Sequence, residues 1–258
     1  MSKIRTIFNV DSLPLTSNVC MQDLREIGAF PSVNPRISVA HVSMSPGNIS
    51  LNHKHESFSE VYVVLNGMGI LTTGGKRYCM TSGSYIVIPP GTPHFFQNPE
   101  TSNSVLEHLV ISSPPFCSND VIVLGMDVSS IDDVGPHYLD FPPVTARDRA
   151  TVYPMISGFV RENLGFSIAF GFLTPGKKSV SHYHKNLFEA YYVLNGSGNV
   201  FLKNVGDNIN ANFPIAGGTI VLIPPYSVHS LSAENSDTAL EVLCISTPAY
   251  SDDDFFEC

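Results

Sequence analysis

The sequence has no tryptophan, and only 14% of its residues are charged. That is too few for a solvated, disordered chain. Basic residues are scarcest: Lys+Arg total 14 against 23 Asp+Glu, a formal net charge of -9. A chain of this balance lacks the electrostatic footprint of a nucleic-acid binder and is repelled by anionic lipid. Neither nucleic acid nor membrane is therefore expected as a partner. No segment approaches the ~18 consecutive apolar residues of a membrane span. The longest apolar stretches, 85–90 and 219–225, are strand-sized. The start MSKIRTIFNVDSLPLTSN is basic, but Asn9, Asp11 and Ser12 break any apolar region, so no signal peptide is read there. The five cysteines (Cys20, Cys79, Cys117, Cys244, Cys258) are odd in number and widely spread, with no CxxC. That argues against a disulfide framework and for a reducing, cytoplasmic setting. Helical periodicity is scarce too. The best candidate is Cys20–Ile27, with Asn18 as N-cap and Gly28 as stop; a second short one lies near Asp120–Leu124.

What is present is a hydrophobic content of 43% in 258 residues, and a repeat. Ser-Met-Ser-Pro-Gly at 43–47 precedes Asn-His-Lys-His at 52–55; Phe-Leu-Thr-Pro-Gly at 172–176 precedes Ser-His-Tyr-His at 181–184. The offset of 129 holds at Glu60 and Glu189 and at the two VLNG segments, 64–67 and 193–196. It becomes 135 where 83–90 matches 218–225 and His94 matches His229. It is 134 from Leu106-Glu107 and Leu240-Glu241 through Ile111-Ser112 and Ile245-Ser246 to Phe116 and Tyr250. A period this long is domain duplication rather than a solenoid. Each copy reads as short strands rich in Val, Ile, Tyr, Phe and Thr, at 37–44, 60–65, 69–73, 85–88 and 106–111, punctuated by Gly and Pro. The fold class expected is all-β, each copy a barrel or a sandwich. The expected division is an N-terminal arm (1–30) outside the repeat, a first domain (31–116), a linker (117–152), a second domain (153–250) and a frayed acidic tail (251–258).

Six of the nine histidines fall at repeat-matched positions. His53 and His55 are two apart, so on a strand they share a face. Glu60 opens the next strand and His94 comes from a distant one. Three imidazoles and a carboxylate converging in a barrel make a nitrogen–oxygen site for a first-row divalent ion: Mn, Fe, Ni, Zn or Co, with Cu possible. The set recurs as His182, His184, Glu189 and His229. A single histidine is normally a structural residue; the doubled spacing reverses that expectation.

The full pattern resembles the cupin family. The first motif stands as Gly47, His53, His55, Glu60, Gly67, and again as Gly176, His182, His184, Glu189, Gly196. The second motif is complete in copy one: Gly83, Pro89, Gly91, His94, Asn98. Copy two keeps Gly218, Pro224 and His229 but has Tyr226 for the turn glycine and Ala233 for the asparagine. The resemblance implies a bicupin: an all-β chain of two tandem antiparallel β-barrels of jelly-roll type, with a metal near the centre of each. It is specific for fold and metal, and unspecific for reaction.

Four protein ligands leave two positions of a six-coordinate ion for a bidentate oxygen compound. The resemblance to sugar and keto-acid cupins implies an isomerase, epimerase or lyase acting on a small oxygen-chelating molecule. Alternatives are a dioxygenase resembling quercetinase-like bicupins, or a non-catalytic binding or storage cupin. Oxalate-processing bicupins carry an arginine just before the first His-x-His, where this chain has Asn52 and Ser181. Strand phase places Tyr62 and Tyr191 inward with Glu60 and Glu189, as candidates for proton transfer or as core tyrosines. His41, matched by Phe170, is a candidate general base or a half-buried strand residue. His108 matches Val242 and His137 lies in the linker; neither is given a catalytic role. Copy one, with its complete second motif, is expected to be the active one. A monomer with internal pseudo-twofold symmetry and a homodimer both remain open.

Overall fold

The fold is that of a computed structural model, which describes residues 7–27, 36–125, 132–134, 142–156, 164–204, 209–233 and 237–258. His137 lies outside them. The chain divides into two compact units, Leu13–Leu139 and Met1–Ser12 with Asp140–Cys258.

In the first unit, one sheet orders its strands Thr16–Ser17, Asp23–Glu26, Ser38–Met44, Leu106–Ser113, Ser59–Asn66 and Tyr85–Ile88. The other runs Val121–Val123, His53–His55, His94–Gln97, Met68–Thr73, Lys76–Thr81 and Asp132–Val134. All pairs are antiparallel except Lys76–Thr81 with Asp132–Val134. Alternation builds the core. Val42 and Met44, Tyr62 and Val64, and Leu106 and Val110 point inward from the first sheet and meet Leu71, Met80 and Phe96 from the second. The second unit repeats this around Leu173, Tyr191, Val193, Val200, Leu231, Leu240 and Val242. Gly67 (φ +80) and Gly196 (φ +77) turn the chain where nothing larger fits: a Cβ would come 2.5 Å from the Val105 carbonyl oxygen, or 1.9 Å from that of Ala239.

Four expectations change. Cys20–Ile27 is not a helix. Asn18 does cap, but its Oδ1 takes the N–H groups of Cys20 and Gln22 in a tight turn with Met21 at φ 62, a left-handed residue that stops a helix. Asp23–Glu26 then pairs in register with Ser38–Met44. Near 120, only a 3-10 turn (Ser118–Asp120) forms before the strand Val121–Val123.

The repeat also extends further upstream than residue identities show. Thr16–Ser17 pairs Asp23–Glu26 as Val144–Thr145 pairs Thr151–Ile156, with Thr16↔Leu24 matched by Val144↔Val152 at offset 128. Finally, the acidic tail is not frayed. Asp252–Asp254 forms a 3-10 turn and Phe256–Glu257 pairs with His182–Tyr183. The N-terminal strand Ile7–Asn9 covers the edge strand Thr219–Ile223 of the second unit.

Candidate metal centres

In the first barrel the ligand atoms of His53, His55, Glu60 and His94 lie within 4.8 Å of one another; in the second, those of His182, His184, Glu189 and His229 do the same. All eight residues are buried. Strand pairing sets this up, since His94 stands opposite His53 and His229 opposite His182. Glu60 Oε2 lies 3.2 Å from His94 Nε2 and 3.6 Å from His55 Nε2; Glu189 Oε2 lies 3.0 Å from His229 Nε2 and 3.5 Å from His184 Nε2.

The outer nitrogens are tied to backbone. Nδ1 of His53, His94, His182 and His229 meets the carbonyl of the residue two before it, at 2.8–2.9 Å. His184 Nδ1 meets the Asp254 carbonyl at 2.7 Å. Each such bond makes Nδ1 the donor and turns the Nε2 lone pair to the centre. There, Nε2 of His55, His94, His184 and His229 and Oε2 of Glu60 are buried without a hydrogen-bond partner. Buried polar atoms rarely stay unsatisfied, and a cluster of inward lone pairs fits a divalent cation. Burial lowers His53 to about 4 and His182 to about 3, favouring the neutral, ligating form. Burial alone would raise the Glu60 carboxyl, but bonds and charge from His55 and His94 hold it well below the usual range.

Support differs between the barrels. Ser112 Oγ donates to Glu60 Oε1 and Ser246 Oγ to Glu189 Oε1, both at 3.2 Å. These serines recur at offset 134, the signal by which sequence reasoning could have found them. His55 stacks on Phe58 (centroids 4.1 Å) and its Nδ1 has no hydrogen-bond partner. His182 instead stacks on Phe255 (4.4 Å). The Asp254 carboxylate accepts the backbone N–H groups of Lys185, Asn186 and Leu187. The C-terminal segment thus holds both histidines of the second pair.

Tyr62 and Tyr191 point inward beside their glutamates. The Tyr191 hydroxyl donates to Glu189 Oε2 at 3.2 Å, and burial pushes both phenols well above their ordinary value. His41 is not brought to the cluster. It alternates with the inward Ala40 and Val42, so it lies on the opposite face of the sheet, 3.9 Å from Glu107. At Tyr226 the second motif keeps its geometry without glycine: φ is 64, against 76 at Gly91. Tyr226 N–H donates to the His184 carbonyl as Gly91 N–H does to that of His55. At Ala233 the backbone bonds remain, and only the Asn98 side-chain bonds to the Met44 and Ser104 carbonyls are lost.

Comparison with known proteins agrees with this architecture. Residues 40–112 match the cupin domain family and residues 157–257 match the ectoine synthase family. Uncharacterized protein MJ1618 of Methanocaldococcus jannaschii is 34% identical over 87 residues, covering 34% of this chain and 68% of that protein. A mannose-1-phosphate guanylyltransferase of Klebsiella pneumoniae is 32% identical over 89 residues (34% of this chain, 18% of that protein). Germin-like protein 1-1 of Oryza sativa subsp. japonica is 34% identical over 91 residues (33% and 41%). The chain therefore spans less than half the length of these last two. Among solved structures, Lactobacillus farciminis oxalate decarboxylase superposes with a TM-score of 0.71 at 18% identity, covering 96% of this chain and 87% of that one. Bacillus subtilis oxalate decarboxylase at pH 4.6 gives 0.68 at 15% identity (95% and 76%). The chain belongs to the cupin superfamily, with a two-barrel fold and two clusters able to hold metal.

Proposed function

We propose that the protein is a metal-dependent enzyme acting on a small oxygen-chelating compound, as an isomerase, epimerase or lyase. The observation that carries this is the pair of three-histidine, one-glutamate clusters in which the buried, inward Nε2 atoms of His55, His94, His184 and His229 have no hydrogen-bond partner. His53, His55, Glu60 and His94 would hold one divalent ion, and His182, His184, Glu189 and His229 a second. When bound, such an ion supplies a Lewis acid that polarises a carbonyl. The chain's own residues do the rest. Ser112 and Ser246 fix the carboxylates, Tyr62 and Tyr191 stand beside them as hydroxyls that stay protonated, and the packed barrel limits water. A storage role needs no such buried imidazole cluster. The oxalate decarboxylase likeness supports a small carboxylate or keto acid more than oxalate itself, because Asn52 and Ser181 stand before the His-x-His pairs.

The test is anaerobic incubation of Mn(II)-loaded protein in D2O with hydroxypyruvate, dihydroxyacetone and D-fructose, read by proton NMR. Exchange at carbon next to the carbonyl is expected. No exchange with any probe, together with oxygen uptake on a flavonol in air, would replace this reading with the dioxygenase one.

A further inference from the structure

The outer oxygen of the cluster glutamate is held differently in the two barrels. In the first, Glu60 Oε1 accepts the Ser112 hydroxyl at 3.2 Å. In the second, Glu189 Oε1 accepts the Ser246 hydroxyl at 3.2 Å and also lies 3.4 Å from Cys244 Sγ, within the reach of a sulfur hydrogen bond. An ionised carboxylate oxygen only accepts, so the thiol is the donor. Cys244 Sγ stands 3.5 Å from Ser246 Oγ as well. Each of the two side chains has one proton to give, and Glu189 Oε1 is the charged acceptor that both reach, which makes it the stronger partner. The other oxygen, Oε2, faces the cluster, 3.0 Å from His229 Nε2 and 3.5 Å from His184 Nε2.

Strand register puts the thiol there. Ser246 stands opposite Glu189 and Cys244 opposite Tyr191, two residues along on the same inward face. The first barrel repeats the ladder, with Ser112 opposite Glu60 and Val110 opposite Tyr62. Val110 is the counterpart of Cys244 at offset 134, the offset that also relates the two serines. Val110 packs into the first core, and Cys244 packs against the second. The position therefore accepts an apolar side chain, and the fold itself does not call for a thiol. What the thiol adds is a donor, and valine has none.

Resting on the metal-dependent reading above, we infer that Cys244 is a positioning residue of the second metal centre. With Ser246 it holds Glu189 Oε1 away from the cluster, so that Oε2 alone is presented to an ion. Val110 gives Glu60 no such second bond. Outer hydrogen bonds of this kind orient a ligating carboxylate, and losing one costs about 10–100-fold in metal affinity. A thiol is a weak donor, which puts Cys244 at the low end of that range. A carboxylate binds such ions through one oxygen or through both. Holding it to one leaves more of the ion's surroundings to an oxygen-chelating compound. One residue thus makes the two centres unequal, although their ligand sets are the same.

The test compares wild type with Cys244→Val and Cys244→Thr, each reconstituted with Mn(II), challenged with increasing chelator and read by high-field electron paramagnetic resonance. Cys244→Val installs the residue that the first barrel packs at the same register, so the core stands. Cys244→Thr has the shape of valine and restores a donor. In Cys244→Val, one of the two ions is expected to leave at about a 10-fold lower chelator concentration. The zero-field splitting of that ion shifts, and the other ion matches wild type. Cys244→Thr recovers part of the retention and moves the splitting back toward wild type. Retention and splitting unchanged in Cys244→Val would overturn this role and leave the metal centres standing. Equal weakening in Cys244→Val and Cys244→Thr, or loosening of both ions together, would mean that the thiol only fills space, and also overturns it. Wild type that holds no Mn(II) overturns the metal-dependent reading, and this role with it.

Discussion

At the scale of single residues, the two copies differ most where one of them buries a polar group. His108 is fully buried against Tyr62 and Phe96, with centroids at 5.4 and 4.9 Å, and neither ring nitrogen has a hydrogen-bond partner. Its counterpart Val242 shows that the position needs only apolar volume. Burial, then the nearby His41, lowers the folded-state value to about 3 from an ordinary 6.5. The unfolded chain therefore binds a proton that the folded one refuses between those values, so stability falls as pH drops below 6.5 and goes on falling to about 3. Between pH 7 and pH 5 this group alone costs about 2 kcal/mol. His108→Val should lose that share of the acid sensitivity, read as a smaller difference between urea midpoints at the two pH values. An unchanged difference would mean that His108 is paired or hydrated in solution. The ligand residues were legible in the sequence because their spacing repeats. The equivalence of Cys20 and Asp148 was not, because a thiol and a carboxylate share no pattern; only the N–H groups of Leu51 and Val180, which bond their carbonyls, place them alike.

At the scale of elements, the strands bearing the motifs could be read from two-residue alternation: the stretches at 60–65, 85–88 and 106–111 fall on Ser59–Asn66, Tyr85–Ile88 and Leu106–Ser113. Segments whose conformation depends on distant partners could not. Asp23–Glu26 is a strand because Ser38–Met44 offers an edge, and local propensity is overridden. The run Asp252–Asp254 reads as a solvated end, yet Asp254 collects three backbone N–H groups and its carbonyl fixes His184. Such outer-sphere contacts are typically worth 10–100-fold in metal affinity. Ending the chain after Tyr250 should therefore weaken the second site about 10–100-fold and spare the first, measured as Mn(II) retained against a chelator. Equal retention at both sites would show that the C-terminal segment only covers the barrel.

At the scale of the whole molecule, duplication was legible and its strand exchange was not. Ile7–Asn9 pairs with Thr219–Ile223, more than 200 residues along the chain, and periodicity carries no information about such a pairing. The two barrels keep the same four ligand positions while their surroundings diverge: Cys20, His108, Gly91 and Asn98 in one, Asp148, Val242, Tyr226 and Ala233 in the other. That divergence leaves the candidate metal ligands common to both barrels and their neighbours distinct. The measurement that bears on this most directly is elemental analysis of protein prepared anaerobically without a metal-affinity tag and reconstituted with Mn(II), alongside His53→Ala and His182→Ala. Two ions per wild-type chain and one in each variant are expected. Wild-type protein that stays metal-free after reconstitution would contradict the account.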